Sequence, residues 1–378
     1  MRINRLLVSI VLISVIVTSC GASDIPVINT PTFPTGSPTR TQFLPVSDTP
    51  TSASATPTPT ATLTETATIP PANTSTPSLE VKLMAVGDIM LARTIESQMQ
   101  ARGPGIVFSG VQPVLNSADV LVGNLECALT NSTDRQQKTY TFAAPPEAAK
   151  ALALAGFDVL NQANNHALDF GIQGLFDTQV ALRQFGIADL GAGANSKEAH
   201  APVIIERNGL RLAFLGYADV PDEYGGFDAH SWIATDTQPG IAWADPEQIK
   251  TEVAAAKLLA DVVVVMFHFG LENSTVISTN QRAESYAAID AGAALVIGSH
   301  SHILQTIEKY HGGLIAFSLG NFVFDDYKGI SNATIILQVV LTRQGFQSYD
   351  YVPVLIQNGL PALTKIDNAR GIETLVAP

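Results

Sequence analysis

Val262-Val-Val-Val-Met-Phe267 narrows the possible folds more than any other stretch of this chain. Side chains of a strand alternate between two faces, so a run without a polar residue must be covered on both. That is the condition of a parallel strand inside a layered α/β structure, not of a half-solvated antiparallel sheet. Shorter apolar runs repeat the theme at Val81 to Val86, Asp119 to Val122, Phe157 to Leu160 and Leu295 to Ile297. Helical stretches separate them. One begins near Ala92, one starts at Pro146 and ends at the C-cap Gly156, and one runs from Ile172 to Phe185. Another follows the Asp245 N-cap with Pro246 behind it and reaches about Leu259, and the last covers roughly Asn280 to Ala291. Strands alternating with helices predict an α/β domain. Two hairpins interrupt the alternation, one turning at Asn208-Gly209 and one at His311-Gly-Gly313. Between Ala218 and Gly240 lies an irregular stretch, and loops of that length often form a binding rim.

Two segments of different composition precede this domain. Met1-Arg-Ile-Asn-Arg5 is basic, and Leu6 to Val17 is apolar apart from Ser9 and Ser14. That run is shorter than the roughly twenty residues a bilayer span needs, and it fits a secretory signal peptide. Val17-Thr-Ser-Cys20 resembles a lipobox, with cleavage before Cys20 and lipidation of its sulfur. Residues 1–20 are thus expected to be a lipoprotein signal peptide, making the mature protein extracytoplasmic and membrane-anchored through Cys20. The remaining cysteine, Cys127, then has no disulfide partner. From 21 to 79, Thr, Pro, Ser and Ala dominate, as in Thr56-Pro-Thr-Pro-Thr-Ala-Thr62. Such a segment buries too little apolar area to offset its ordering entropy and is expected to be a disordered tether. Residues 80–378 remain for one large domain. The chain's net charge of −13 resides there, because Arg2, Arg5 and Arg40 balance Asp24, Asp48 and Glu65 upstream. A nucleic-acid partner would demand a basic face, so that class is excluded.

The chemistry gathers where the apolar runs end, the place where open α/β sheets build their sites. Asp88 follows the first run in Gly87-Asp-Ile-Met-Leu91, and Glu126 closes Gly123-Asn-Leu-Glu126. Asn161-Gln-Ala-Asn-Asn-His166-Ala-Leu-Asp169 crowds amides around one imidazole, and His268 leaves the long valine run. His300 and His302 stand at i, i+2, a spacing that in extended backbone puts both rings on one face. Of seven histidines these four follow apolar strands directly, whereas His200, His230 and His311 lie in turns or loops and are expected to be solvated. Each residue alone has an ordinary reading, Asp88 as a helix cap and the histidines as loop polars. Their recurrence at five strand exits favours one shared site. Nitrogen and oxygen donors without a thiolate pair suit a divalent ion and metal-assisted hydrolysis.

Six blocks carry a resemblance: Gly87 to Leu91, Gly123 to Glu126, Ala163 to Asp169, Phe267 to Gly270, Gly298 to His302, and Ser318 to Phe322. Together they resemble the CapA/PgsA family of capsule-synthesis (poly-γ-glutamate) proteins, within the calcineurin-like metallophosphoesterase superfamily. The likeness runs in unbroken order from about Leu83 to Asp325. It implies a four-layer α-β-β-α sandwich of the metallophosphoesterase type. It further implies Asp88, Glu126, Asn165, His268, His300 and His302 as ligands of one or two divalent ions (Mn, Fe, Zn or Mg), and His166 as general acid. Asn124, Asn164, Lys138 and Asn321 are candidate substrate contacts. Two departures stand out: Met90 occupies the histidine's place in the superfamily's Asp-x-His block, and Asn124 follows Gly123 where an aspartate is usual. One of two metal sites is therefore expected to be weak or absent.

Two classes of function follow. In one the domain is a metal-dependent hydrolase of a phosphoester or γ-glutamyl amide, an extracytoplasmic phosphatase or nucleotidase being a variant of that reading. In the other it is a non-catalytic component that binds anionic polymer and aids export within a capsule-synthesis complex. A proton donor beside the metal separates them, and His166 supplies one.

Overall fold

The computed structural model describes residues 79–223, 225–325 and 332–365. The expected signal peptide, Cys20 and the tether through residue 78 lie outside the described residues. Strands β1 (Glu80–Ile89), β2 (Val120–Leu125), β3 (Val159–Asn161) and β4 (Ala188–Leu190) run parallel to one another. A second sheet follows in the chain: β5 (Val203–Arg207), β6 (Leu210–Asp219), β7 (Val262–Phe269), β8 (Leu295–Ser299), β9 (Ile307–Tyr310) and β10 (Gly313–Ala316). Its order is β9-β10-β8-β7-β6-β5, parallel at the centre with an antiparallel hairpin at each edge. The chain then returns to the first sheet with β11 (Asn321–Val323), β12 (Ala333–Thr342), β13 (Gly345–Gln357) and β14 (Leu360–Leu363). The eight-stranded result has the order β14-β13-β12-β1-β2-β3-β4, with β11 alongside the end of β1.

Alternation along the strands divides the interior into layers. In β1, Leu83 and Ala85 face the second sheet, whereas Met84 and Val86 face away from it. In β7, Val264 and Met266 face the first sheet, whereas Val263, Val265 and Phe267 face away. The core between the sheets joins residues of both, from Val122 and Leu337 to Phe214 and Leu295. On the far side of the first sheet lie helices α1 (Thr94–Arg102), α2 (Ala149–Ala155) and α3 (Gly171–Gln184), burying Ile95, Leu152 and Leu182. On the far side of the second lie α4 (Pro246–Lys257) and α5 (Thr279–Asp290), burying Ile249, Val253 and Ala287. The fold is thus an α-β-β-α sandwich. Each fully buried Val, Leu or Ile contributes about 1.5–3 kcal/mol, which is why the two-faced strands hold its centre.

The helix ends follow local rules. Asp245 accepts from the backbone amides of Glu247 and Gln248, and Gly156 takes the left-handed conformation at φ 92°. Ser278 and Gln281 cap each other ahead of α5. The apolar run Leu295 to Ile297 continues in β8 through Gly298 to Ser299. A Cβ at Gly298 would stand 2.0 Å from the Phe317 carbonyl oxygen, so the glycine admits a neighbouring chain segment instead of ending the strand. At Gly87 the same reasoning holds, because a Cβ there would meet the Gly320 oxygen at 1.8 Å. The close approach lets the Asp88 amide donate to Gly320 O at 2.9 Å and seats β11 beside the site.

Candidate metal centre

Each parallel strand delivers polar groups at its C-terminal end, and the two sheets bring those ends together. Asp88, near the end of β1, and Glu126, one residue past β2, are fully buried. Asn165 and His166 follow β3, His268 is the next-to-last residue of β7, and His300 and His302 follow β8. The Nε2 of His268 lies 2.8 Å from Asn165 Oδ1 and 3.1 Å from His300 Nδ1, so three donor atoms meet at one point. The other edge of the His268 ring lies 3.7 Å from Asp88 Oδ1. His302 completes the arrangement, its Nδ1 at 3.7 Å from Asp88 Oδ2 and its Nε2 at 3.8 Å from Glu126 Oε1. Asp88, Glu126 and His268 together form a buried group able to hold a metal ion.

His300 and His302 converge, but not by the pleat. Both take left-handed backbone, at φ 89° and 57°, so a turn and not an extended segment brings their rings to 6.2 Å between centroids. The turn is held in part by the His300 amide, which donates to Asp88 Oδ2 at 3.1 Å.

Electrostatics and unsatisfied atoms test whether a cation fits. Burial pushes the Asp88 carboxyl up, opposed by the His302 imidazole and the amide donors of His300 and Asn124. Burial and then the neighbouring Asp88 push Glu126 well up. Burial drives His268 and His300 well below the usual range, leaving neutral imidazoles, the form that ligates. Both carboxylate oxygens of Glu126 are buried without a hydrogen-bond partner among the described residues. Such orphaned acceptors are costly, and a divalent cation satisfies them while reversing the penalty on the paired carboxylates. The 3.7–3.8 Å separations around Glu126 and His302 exceed hydrogen-bond length. They approach the roughly 3–3.5 Å between ligand atoms that each stand about 2.1 Å from one ion. The residues present fit the ion.

The surrounding amides orient these ligands. Asn124 Nδ2 donates to Asp88 Oδ1 at 2.8 Å and lies 3.1 Å from His268 Nδ1. Its carbonyl accepts from Asn161 and Asn164, and Asn164 Oδ1 accepts from the His166 amide. Asn321 Oδ1 lies 2.8 Å from His302 Nδ1. Ligand-orienting hydrogen bonds of this kind set tautomer and direction. Asn124, Asn164 and Asn321, expected as substrate contacts, are therefore part of the buried scaffold and do not line the cleft. Lys138 is likewise displaced from that expectation. Its ammonium is buried between Asp169 and Glu223, at 2.8 Å from each, bonds the Asn165 carbonyl, and lies over the rings of Phe227 and Trp232. A buried ammonium needs such compensation, and these carboxylates take it away from the cleft.

Two residues of the site escape the sequence reading. Asp169 is fully buried, 2.7 Å from His166 Nδ1. Its position three residues after the histidine is the available signal. Glu223, from the irregular stretch expected to form a binding rim, accepts from Asn165 Nδ2 at 2.8 Å, though the sequence assigns it no individual role. His166 Nε2 points the other way, 3.7 Å from Glu126 Oε1. Burial lowers the His166 pKa, opposed by Asp169. A cleft of about 220 Å³ opens over this histidine, lined by Tyr140, Phe142, His166, Glu272, Asn273, His302 and Phe324.

Comparison with known proteins decides the family. The model of the bacterial capsule synthesis protein family PGA_cap matches residues 82–326. This chain belongs to that family. It is 34% identical over 288 residues to the PGA biosynthesis protein CapA of Bacillus subtilis, covering 75% of this chain and 74% of that protein. It is 36% identical over 290 residues to the capsule biosynthesis protein CapA of Bacillus anthracis, covering 75% and 69% respectively. Among solved structures, a hypothetical protein from Thermus thermophilus is similar at a TM-score of 0.45 and 15% identity, over 72% of this chain and 98% of that one. Within the family's matched span, Met90 turns into the helix-facing core, where its sulfur accepts from the Ala92 amide at 3.2 Å. It supplies no ligand. Cys127 is no thiolate donor either, since burial pushes its thiol up to about 12 and its sulfur accepts from the Leu91 amide.

Proposed function

We propose that this chain is a metal-dependent hydrolase of amide bonds in an anionic capsule polymer of the poly-γ-glutamate type, tethered outside the cytoplasm through a lipidated Cys20. The observation that carries the reading is His166, which lines the cleft, is braced by Asp169 and lies beside the orphaned Glu126 carboxylate. The capsule and PGA biosynthesis roles named for the relatives support the polymer class. Asp88, Glu126, Asn165, His268, His300 and His302 would hold the ion or ions. When bound, a divalent ion supplies a Lewis acid and an acidified water. His166 would donate its proton to the leaving amine nitrogen as the carbonyl–nitrogen bond breaks and water adds to the carbonyl carbon, and the proton that water gives up returns to the imidazole. Asp169 keeps the imidazole turned so that Nε2 faces the cleft.

A second reading, polymer binding without cleavage, is favoured by one observation: Met90 leaves the site short of an imidazole. Full-length protein, assayed on γ-glutamyl oligomers and phosphoesters with and without chelator, separates the readings. His166→Ala is expected to cut oligomer hydrolysis by roughly a hundredfold or more while metal content stays near wild type. Retained hydrolysis in that variant overturns the acid role, and hydrolysis of phosphoesters alone overturns the polymer. The tether is tested separately. Cys20→Ser is expected to release the protein from membranes or leave it unprocessed. A normally trimmed product that still fractionates with membranes contradicts the anchor.

A further inference from the structure

We propose that Arg93 is the anion-binding residue of the cleft, taking the free α-carboxylate that a γ-linked glutamyl unit carries next to its scissile amide. The inference deepens the polymer reading above and rests on it.

The problem it answers is one of charge. The chain carries a net charge of −13, and Glu272 is the charged residue among the lining residues other than the two histidines. Asp88 and Glu126 lie behind them. A polycarboxylate entering such a cleft meets repulsion unless a cation receives it. Among the described residues no lysine or arginine lines the cleft, and Lys138 is fully engaged with internal carboxylates. Arg93 stands just beyond the lining. Its guanidinium lies 4.5 Å over the ring of Phe142 and 5.9 Å from that of Tyr140, both of which line the cleft. Phe142 in turn packs on His166, at 4.2 Å between ring centroids. One phenyl ring therefore separates the guanidinium from the imidazole. That span suits a carboxylate a few bonds away from the amide that receives the proton.

The side chain is built for this and kept available. Asp325 Oδ2 accepts from Nη1 at 3.2 Å, and Asp325 is itself held by the Thr94 hydroxyl at 2.5 Å. One corner of the fork is thus anchored, and the side chain remains 38% exposed. Aromatic faces beneath a guanidinium fix its plane without consuming its donors, leaving an edge for bidentate contact with a carboxylate. The backbone adds a second sign. Arg93 adopts φ 57°, a left-handed conformation rare for a residue with a long side chain, and such strain concentrates at functional positions. The loop that carries it begins at the end of β1, with Arg93 four residues after Ile89 closes that strand. The element that places Asp88 thus also places Arg93.

Two probes test the proposal on the full-length protein: a labelled γ-linked glutamyl oligomer with free α-carboxylates, and the same oligomer with each α-carboxylate converted to the amide. Binding is read by fluorescence anisotropy and cleavage by release of the label. Wild type is expected to bind the carboxylate oligomer roughly tenfold to a hundredfold more tightly than the amide. Arg93→Ala is expected to lose that preference, binding the carboxylate and amide oligomers with about equal affinity. Arg93→Lys, which keeps the charge but not the fork, is expected to recover only part of the preference. Thermal melts of Arg93→Gln and Arg93→Ala check folding, and an intact Gln variant serves as the neutral case if the Ala variant unfolds. A preference that survives in the folded neutral variant overturns the proposal and leaves the hydrolase reading intact. Tight, carboxylate-selective binding without cleavage supports the proposal and overturns hydrolysis. Absence of oligomer binding by wild type overturns both.

Discussion

The side-chain amide of Asn165 has two chemically different ends, and Glu223 determines which one faces the ligands. Glu223 Oε1 accepts from Nδ2 at 2.8 Å, so the carbonyl oxygen is turned toward His268 Nε2. Lys138, at 2.8 Å from the same oxygen, holds the carboxylate in place. Glu223→Ala is therefore expected to weaken metal affinity about tenfold to a hundredfold, the usual cost of losing an orienting partner. Glu223→Gln keeps an acceptor oxygen and is expected to recover most of that loss. Metal titration by calorimetry checks both, and equal affinity of the Ala variant and wild type removes the role. Legibility in the sequence differs from residue to residue for physical reasons. Asp88, Glu126 and His268 are visible because each ends an apolar run. The pair His300 and His302 stands out through its spacing, although a left-handed turn achieves what extended backbone is expected to do. Lys138 is misplaced because polarity in a sequence does not say whether an ammonium meets a ligand or an internal carboxylate. Glu223 is marked only through the length of its loop, which has no periodicity to set one residue apart.

Elements are legible to the extent that burial imposes a pattern on them. The β7 strand is plain because both its faces are covered, and α4 because its cap is written in Asp245 and Pro246. Strands β12 to β14 escape the sequence reading. In β13 the burial pattern is mixed and mostly partial, so neither alternation nor an unbroken apolar run marks it. Helix α5 carries a feature its sequence does not announce. Glu284 is 3% exposed, and burial, with Asp219 and Asp245 nearby, pushes its carboxyl up to about 9. In the folded protein it stays protonated at neutral pH, while in the unfolded chain it ionises near about 4.3. Its contribution to stability is thus fully present below about pH 4.3 and is lost as the pH rises toward 9. Glu284→Gln is expected to raise the melting temperature at pH 8 by roughly 2–4 °C, the shift that about 1 kcal/mol produces in a domain of this size. The gain is expected to shrink toward zero at about pH 4.5. A gain independent of pH would show that shape, not protonation, governs the position.

At the scale of the molecule, the proposed ligands are divided between the sheets. Asp88, Glu126 and Asn165 come from the strands of the first, and His268, His300 and His302 from those of the second. The ion or ions they are proposed to hold would join two layers whose shared core is apolar. Binding to the folded state at a hundred times the dissociation constant adds about 2.7 kcal/mol. Removal of the ion by chelator is accordingly expected to lower the melting temperature by roughly 5–10 °C. Scanning calorimetry checks it, and an unchanged transition argues that the donors hold no ion in the purified protein. The same chelation is expected to leave the apolar core between the sheets in place.

The division also separates the donors widely along the chain. Asp88 and His302 are brought within 3.7 Å of each other across 214 residues of chain, and β11, which carries Asn321 to His302, pairs beside β1. Neither half of the chain supplies the whole donor cluster, so an ion that needs all of these donors would be bound only once both sheets are in place. If such an ion binds, its identity would follow the metal supply where folding is completed and not the supply where the chain is made.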